Sequence, residues 1–423
     1  MVNEDFSIFA RDPALTSLRD LTTAGLRAEL SRCLSSALPD ARPEGFRIIS
    51  MRYTPLQKLI IGLNAGRHMT PVAIRIFPRA SVQDRLAKAR RTHPEHSFLL
   101  NNLNAVAWVF PGERKLRLDL VADRSRLSGL LARHRGYRLD KLEPVHVVPE
   151  HTYTARVEGA RDDGRKVCEY LKVYYNDQGA TTARLMQQVA EASQTSAIEI
   201  PANATYLARE RLLIQPELAR DGTCQLDDAS VAAALAELHG LPVAAAQLGN
   251  DDLAASYASI VDLVAHTFPP LVNVVQRIGG EIQSALLGTQ AGSTVLLHGD
   301  AHLGNLFPLV NGNVGIIDLD RMGSGPAEED LASYYAFRLW LRLRSRQSTD
   351  VTLTQFAEFV RTYNRSTNQA VSVRRAYFVL AHKMVIERIR RGITRGKVSS
   401  GSELAVFARI AAKSLKAGRE SRD

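Results

Sequence analysis

The chain has 423 residues, 45% of them hydrophobic and 23% charged. That length suits two or three domains, and that balance excludes a collagen, a disulfide scaffold and wholesale disorder. Net charge is +10, but residues 371–423 alone hold 13 Lys and Arg against 4 Asp and Glu, a net of +9. This basic region reads either as a solvated face of terminal helices, the plainer account, or as a surface for an acidic partner, substrate or membrane.

Cys33, Cys168 and Cys224 are far apart and none sits in a C-x-x-C pair. Neither a disulfide framework nor a zinc knuckle is expected, and a reducing, cytoplasmic setting is the simplest one. The acidic start, MVNEDFSIFARD, has no apolar core of a signal peptide. No apolar run of the roughly 18 residues a membrane span needs is present, so no span is expected.

Along the chain, Leu26, Leu30 and Cys33 have helical spacing before Pro39 and Pro43 interrupt. FRIISMRY, KLIIGL and VAIRIF, from 46 to 77, read as strands, and the charged stretch 80–91 as a helix. AVAWVF (105–110) and KLRLDLV continue a mixed α and β pattern. A second strand-rich block starts near 143: VHVVP, YTARVEGA, a turn at Asp163-Gly164, then KVCEYLKVYY. An ideal two-residue hairpin there sets Lys172 opposite Ala155. A helix is expected over about 180–192 and a strand at RLLIQPEL (211–218). Beyond Gly222 the pattern turns helical, with Val231, Leu235 and Leu238 forming a stripe that ends at Gly240. A β-rich first half and an α-rich second half imply separate lobes. VAIRIFPRASVQDRL (72–86) loosely echoes EYLKVYYNDQGATTARL (169–185), with Arg75 where Lys172 sits. Chance and duplication both explain the echo.

The richest stretch is TVLLHGDAHLGNLFPLVNGNVGIIDLDRMGSGPAEEDLA, 294–332. TVLL reads as a buried strand that delivers His298-Gly299-Asp300 into a loop. LFPLV and VGII flank Asn311-Gly312, a strong hairpin signal. A two-residue turn there sets Asn305 opposite Asp318, roughly 5 Å apart at Cβ. Pro308 in the first strand implies an edge or a bulge. Asp300, Asn305 and Asp318 thus supply hard oxygen atoms suited to Mg²⁺ and to phosphoryl transfer.

H-G-D-x-H-x-G-N, a hairpin, I-D-x-D and then D-L-A resemble the aminoglycoside phosphotransferase and choline kinase superfamily, which has a protein-kinase-like fold. The resemblance covers 143 to about 345 well and the first 142 residues poorly. It implies Asp300 as catalytic base, Asn305 and Asp318 as Mg²⁺ ligands, and Asp320 as an assistant at the metal. It also implies that Asp330 is a buried acid bracing the loop, and LAELHGL with His239 looks like an early helix of the larger lobe. His298 and His302 read as bracing residues more than chemical ones. Lys172 would contact the α and β phosphates of ATP. The glutamate that pairs with such a lysine has only a late counterpart, Glu191, with Gln188 nearer. No glycine-rich loop precedes Lys172, though PEHTYTARVEG could offer backbone N–H groups and the Thr152 and Thr154 hydroxyls to phosphate. Gln215 to Leu218 take the position of an adenine-binding connector.

GITRGKVS is one residue short of a phosphate-binding loop and lacks its Ser or Thr, and no H-E-x-x-H or G-x-S-x-G frame fits. Arg388, Arg391 and Arg395 share one helical face, read chiefly as solvated. The expected whole is α+β: a mixed α/β extension (1–142), a β-rich small lobe (143–218) and a helical lobe with the catalytic and metal loops (219–423). Its expected activity is ATP-dependent, Mg²⁺-assisted transfer to a hydroxyl of a small molecule such as a sugar, aminocyclitol or amino alcohol. The alternative is a nucleotide-binding pseudokinase with a regulatory role. The basic region lacks the interleaved aromatics of a nucleic-acid surface.

Overall fold

The computed structural model describes residues 6–78, 82–194, 196–248, 252–398 and 400–421. The first five residues of the acidic start lie outside them. After α1 (Thr23–Cys33), capped by the Thr22 hydroxyl on the Gly25 N–H, comes a five-stranded antiparallel sheet. Its strands are β1 (Phe46–Thr54), β2 (Lys58–Ala65), β3 (Thr70–Ile76), β4 (Ser97–Leu100) and β5 (Ala105–Val109), in the order β1-β2-β3-β5-β4. The helix α2 (Val82–Thr92) links β3 to β4.

The short α3 (Asp119–Ala122) and α4 (Arg124–Arg135) follow, and Gly136, at φ +70°, ends α4 in the left-handed conformation that glycine tolerates. A second antiparallel sheet comprises β6 (Arg138–Val148), β7 (Thr152–Ala160) and β8 (Lys166–Tyr174), then α5 (Gln178–Ala192). The two-residue β9 (Ile198–Glu199) leaves to join the larger lobe, and β10 (Thr205–Leu207) and β11 (Leu212–Pro216) complete the sheet. Its order is β10-β11-β8-β7-β6. Read from β6, this is the strand order of the first sheet, with a helix before its first strand and another after its third. The echo around Arg75 and Lys172 therefore extends to a whole unit: each basic residue lies on the third strand, beside an aromatic ring two residues on, Phe77 and Tyr174.

The boundary expected after 142 falls inside β6. Leu116, Leu120, Leu127, Leu131 and Tyr137 already share a core with Tyr153, Leu171 and Ile214 of the second sheet.

The remainder is mostly helical: α6 (Asp228–Gly240), α7 (Leu253–Thr267), α8 (Val272–Leu287), α9 (Glu328–Arg344), α10 (Asp350–Arg365), α11 (Val373–Lys383), α12 (Arg391–Thr394) and α13 (Gly401–Glu420). Between α11 and α12 the chain is π-helical over Met384–Arg390. Four short strands interrupt the helices: β12 (Thr294–Leu297) with β15 (Gly323–Pro326), and β13 (Leu306–Pro308) with β14 (Val314–Ile316), against which β9 lies parallel. Pro308 sits on β13, an edge strand, where its missing N–H is harmless. The architecture is α+β, a β-rich small lobe and a mostly helical lobe, with an α/β extension in front. No helix of the described residues is long and apolar enough to cross a membrane, and the three cysteines are free thiols.

Both hairpin registers differ from the two-residue expectation by one. Ala160 pairs Lys166, and Gly164 at φ +80° closes a three-residue loop, so Lys172 faces Thr154 instead of Ala155. Likewise Leu309 N–H bonds Asn313 O around a loop in which Gly312 has φ +87°. Leu306 then pairs Ile316, and Asn305 O accepts from Ile317 N–H, so Asp318 lies one residue past the expected partner of Asn305. In both cases a glycine in the left-handed region adds a bulge residue that a bare Asp-Gly or Asn-Gly signal does not reveal.

Candidate active site

The loop after β12 is fixed from below by a buried acid. Asp330, in the first turn of α9, accepts the N–H of His298 at 2.6 Å and of Gly299 at 2.9 Å. His239 Nε2 of α6 lies 3.2 Å from the same oxygen that accepts the His298 N–H, and its Nδ1 meets the Tyr363 hydroxyl at 2.9 Å. Burial opposes the Asp330 charge, but His239 and His298 hold its pKa below the usual carboxylate range. His298 is fully buried. Its Nδ1 accepts the Asp300 N–H at 3.2 Å, which leaves Nε2–H to donate to Ile317 O at 2.9 Å. This histidine therefore ties the loop to the second half of the hairpin and does not reach the cleft. Gly299 has φ +77°, and a Cβ there would stand 2.1 Å from Arg321 O. His302 accepts the Gly304 N–H and stacks on Phe337 at 4.7 Å, and burial lowers its pKa.

These contacts hold Asp300 at the cleft, its side chain 22% exposed. Arg391 Nη1 lies 3.3 Å from one carboxylate oxygen and Arg321 Nε 3.9 Å from the other. Asn305 donates Nδ2–H to Asp300 O at 3.2 Å, so its Oδ1 is the end of the amide able to meet a cation. Asp318, at φ +61° and 44% exposed, bonds Lys172 Nζ at 2.7 Å. Its surroundings oppose the charge, yet Lys172 holds the pKa below the usual range. Lys172 in turn is opposed by burial and overcompensated by Asp318 and Asp320, which raise its pKa.

Asp320 is the partner of Lys172 that the helix does not supply. Its carboxylate lies 2.7 Å from Nζ and also takes the Tyr174 hydroxyl at 2.6 Å and Thr182 Oγ1 at 3.3 Å, while Gln178 Nε2–H donates to its backbone oxygen. Glu191 is exposed and pairs with Gln187 on its own helix. Neither Glu191 nor Gln188, the two candidates on the helix, is the partner: Gln188 bonds Arg184, α5 approaches through Gln178 and Thr182, one turn apart, and the acid comes from the larger lobe. Sequence reading missed Tyr174, Gln178 and Thr182, whose only signal was spacing to Lys172.

Thr152 and Thr154 lie directly opposite Tyr174 and Lys172, hence on the same sheet face. Thr152 is buried and Thr154 half-buried. The turn before them is already occupied: Glu150 N–H bonds Glu113 Oε1 and His151 N–H bonds Val148 O. The backbone grip expected from these two N–H groups is therefore committed to protein. Gln215 ends β11 opposite Tyr170. Glu217 N–H bonds Cys168 O, and half-buried Leu218 follows where the chain crosses between the lobes.

Among the described residues no three His, Cys, Asp or Glu side chains gather as a metal site. Magnesium does not require one, because it keeps waters and takes phosphate oxygens beside one or two protein ligands. The Asn305 amide oxygen and the Asp318 carboxylate fit that donor set.

The family model described as phosphotransferase enzyme family matches residues 215–370. That span contains the Asp300 loop, the hairpin, Asp318, Asp320 and Asp330. Residues 215–370 belong to the phosphotransferase enzyme family. Within that span the match agrees with the superfamily that the motifs resemble. Among solved structures, a spectinomycin phosphotransferase in complex with ADP and spectinomycin is 12% identical, TM-score 0.48, over 69% of this chain and 98% of that one. A macrolide 2′-phosphotransferase from Brachybacterium faecium is 13% identical, TM-score 0.44, over 71% and 99%. A choline/ethanolamine kinase family protein from Mesorhizobium loti is 16% identical, TM-score 0.45, over 71% and 94%. A search of curated protein sequences finds no match.

On the far side of Asp300 the chain has a small cleft of about 80 Å³, partly open to solvent. Its walls carry Phe337 and Trp340 of α9 and Arg388, Arg391, Arg395 and Lys397 of the π-helical segment and its continuation. The solvated face expected for the three arginines is thus corrected. Arg388 is only 14% exposed and lies 5.5 Å from the Phe337 ring centre, Arg391 reaches Asp300, and Arg395 occupies the more exposed rim. The acidic run Glu328, Glu329 and Asp330 does not make an acidic pocket. Those side chains face Arg375, Lys383 and His239 inside the lobe.

Proposed function

We propose that the protein transfers the γ-phosphoryl group of ATP to a hydroxyl of a small molecule. The observation that carries this reading is a run of contacts across the lobes: Asn305 bonds the backbone of Asp300 on its braced loop, and Lys172 of the small lobe meets Asp318 and Asp320 at the end of the same hairpin. In this reading residues 1–142 form an extension, 143–218 a nucleotide-side lobe and 219–423 the lobe that brings the base and the metal ligands.

Lys172 would meet the α and β phosphates, exchanging part of its contact with Asp318 and Asp320 for phosphate oxygens. Asp320 would keep the lysine aimed, because Tyr174 and Thr182 fix its carboxylate. Thr152 and Thr154, on the same sheet face, and the Gln215 to Leu218 connector would line the nucleotide. Asn305 and Asp318 would hold Mg²⁺. Bound there, the ion supplies neutralisation of the negative charge on the transferring phosphate. Asp300 would orient the acceptor hydroxyl and take its proton as the new O–P bond forms. The fixed backbone under Asp300 matters, since small misplacements of a reacting group are costly in rate.

The direct test is ADP release from ATP and Mg²⁺ in a screen of hydroxylated metabolites. Turnover lost in Asp300→Asn, with nucleotide binding retained, supports the reading. Nucleotide binding with no turnover by the wild type favours a regulatory pseudokinase instead.

A further inference from the structure

We propose that the phosphoryl acceptor is an anionic polyol, a small hydroxylated molecule that also carries a phosphate monoester or a carboxylate. It is held by Arg388, Arg395 and Lys397 with its free hydroxyl at Asp300. This rests on the kinase reading and adds the chemical class of its substrate.

Four cations line the cleft beside Asp300, against two acids, Asp300 itself and Glu387. Glu387 is already shared by Arg388 Nη2 at 3.4 Å, Arg391 at 3.6 Å, Lys383 at 3.7 Å and the Ser333 hydroxyl at 3.2 Å, so one carboxylate serves three cations. Arg391 is shared between Asp300 and Glu387. Among the described residues, neither Arg395 nor Lys397 has a carboxylate within ion-pair distance. Arg388 Nε is buried without any hydrogen-bond partner. Crowded, half-desolvated cations cost free energy unless an anion joins them. Lys397 bears the mark of that cost: burial and then the neighbouring charges of Arg395, Arg388 and Arg344 pull its pKa down.

The geometry also suits a planar or forked anion. Arg388 lies over Phe337 and Trp340, at 5.5 and 5.9 Å, which fixes the plane of its guanidinium. Lys397 Nζ lies 6.0 Å from Trp340. A guanidinium so held presents its fork to a phosphate or carboxylate, while Trp340 and Phe337 offer an apolar wall to the carbon face of a polyol. A cationic amine in the same cleft would meet the like charges of Arg388, Arg391, Arg395 and Lys397. In the transfer, the acceptor oxygen bonds Pγ as the bond from Pγ to the β,γ-bridging oxygen breaks. The hydroxyl proton passes to Asp300, and ADP leaves with the bond's electron pair.

The test uses matched acceptors on the full chain: a neutral sugar, its phosphate monoester, its uronate and its amino derivative, with ADP release read for each. Expected is a kcat/KM for one of the two anionic members at least about tenfold above the neutral and amino members. Lys397→Gln and Arg388→Gln each raise KM for that member by about tenfold or more, as loss of a hydrogen bond to a charged group does. Their ATP binding stays unchanged, and Lys397→Gln guards against a folding failure of the more buried Arg388 variant. The phosphate and uronate arms tell the two anions apart. Equal or better use of the neutral or amino sugar, with KM unmoved in Lys397→Gln, overturns the proposal. Should no member turn over, calorimetric titration with inorganic phosphate in saturating ADP decides: binding abolished by Lys397→Gln supports it, and no binding overturns it. Failure to bind ATP refutes the kinase reading instead, independently of the acceptor.

Discussion

Replacing Glu150 by glutamine tests how the extension is joined to the nucleotide side. Glu150 sits in the β6–β7 turn at φ +59°, its side chain 4% exposed. Arg75 Nη1 of β3 approaches at 2.8 Å and Arg114 Nε at 2.7 Å. Burial pushes its pKa up, but the two arginines outweigh burial and hold it at about 2 against an ordinary 4.5. A folded-state pKa below the unfolded one gives stability that is complete above the unfolded value and lost as pH falls through the folded one. At 1.36 kcal/mol per pH unit the effect is about 3 kcal/mol at neutral pH and about 2 kcal/mol near pH 3.5. Urea unfolding of wild type and Glu150→Gln between about pH 5.5 and 3.5 isolates it, because the other acids titrate in both proteins. The stability gap should be widest at the upper end and narrow by about 1 kcal/mol at the lower. A gap that does not change with pH would refute the reasoning, since it would mean that the carboxylate keeps its ordinary pKa.

Asp330→Asn leaves one acceptor oxygen where the His298 and Gly299 N–H groups need two. It should cost about 3–5 kcal/mol in chemical denaturation and abolish turnover, and wild-type stability would contradict the bracing role. Gly299→Ala forces a Cβ against Arg321 O at φ +77°, so a lower Tm and loss of activity are expected, with about 1–3 kcal/mol from backbone strain alone. Lys172→Met should weaken nucleotide binding in a calorimetric titration, whereas Glu191→Gln should leave affinity unchanged and stability within about 0.5 kcal/mol. A binding loss in Glu191→Gln would restore the helix glutamate as the partner of the lysine.

The loop chemistry was legible because it is local: Asp300, Asn305, Asp318 and Asp320 lie within 21 residues of one another. The hairpin that gathers them was legible as a hairpin but not in register, since Gly312 and Gly164 insert bulge residues that hydrophobic patterning does not specify. The Lys172–Asp320 pair joins lobes 148 positions apart, and no local periodicity encodes which acid meets a lysine across a cleft. The arginines of 388–395 were visible as one face, but a sequence does not say what lies opposite a face. The π-helical turn from Met384 to Arg390 also shifts that face away from the 3.6-residue repeat used to draw it. The repeated strand order was hidden for the same kind of reason: topology persists where only a few residues, such as Ile74-Arg75-Ile76-Phe77 beside Leu171-Lys172-Val173-Tyr174, still correspond.

The central claim is that Asp300 serves phosphoryl transfer. It is tested most directly by ADP release with Mg·ATP and the best acceptor of the screen, wild type against Asp300→Asn. The account predicts that the variant binds ATP as the wild type does and loses about 10²- to 10⁴-fold in kcat. Unchanged turnover in Asp300→Asn would contradict it.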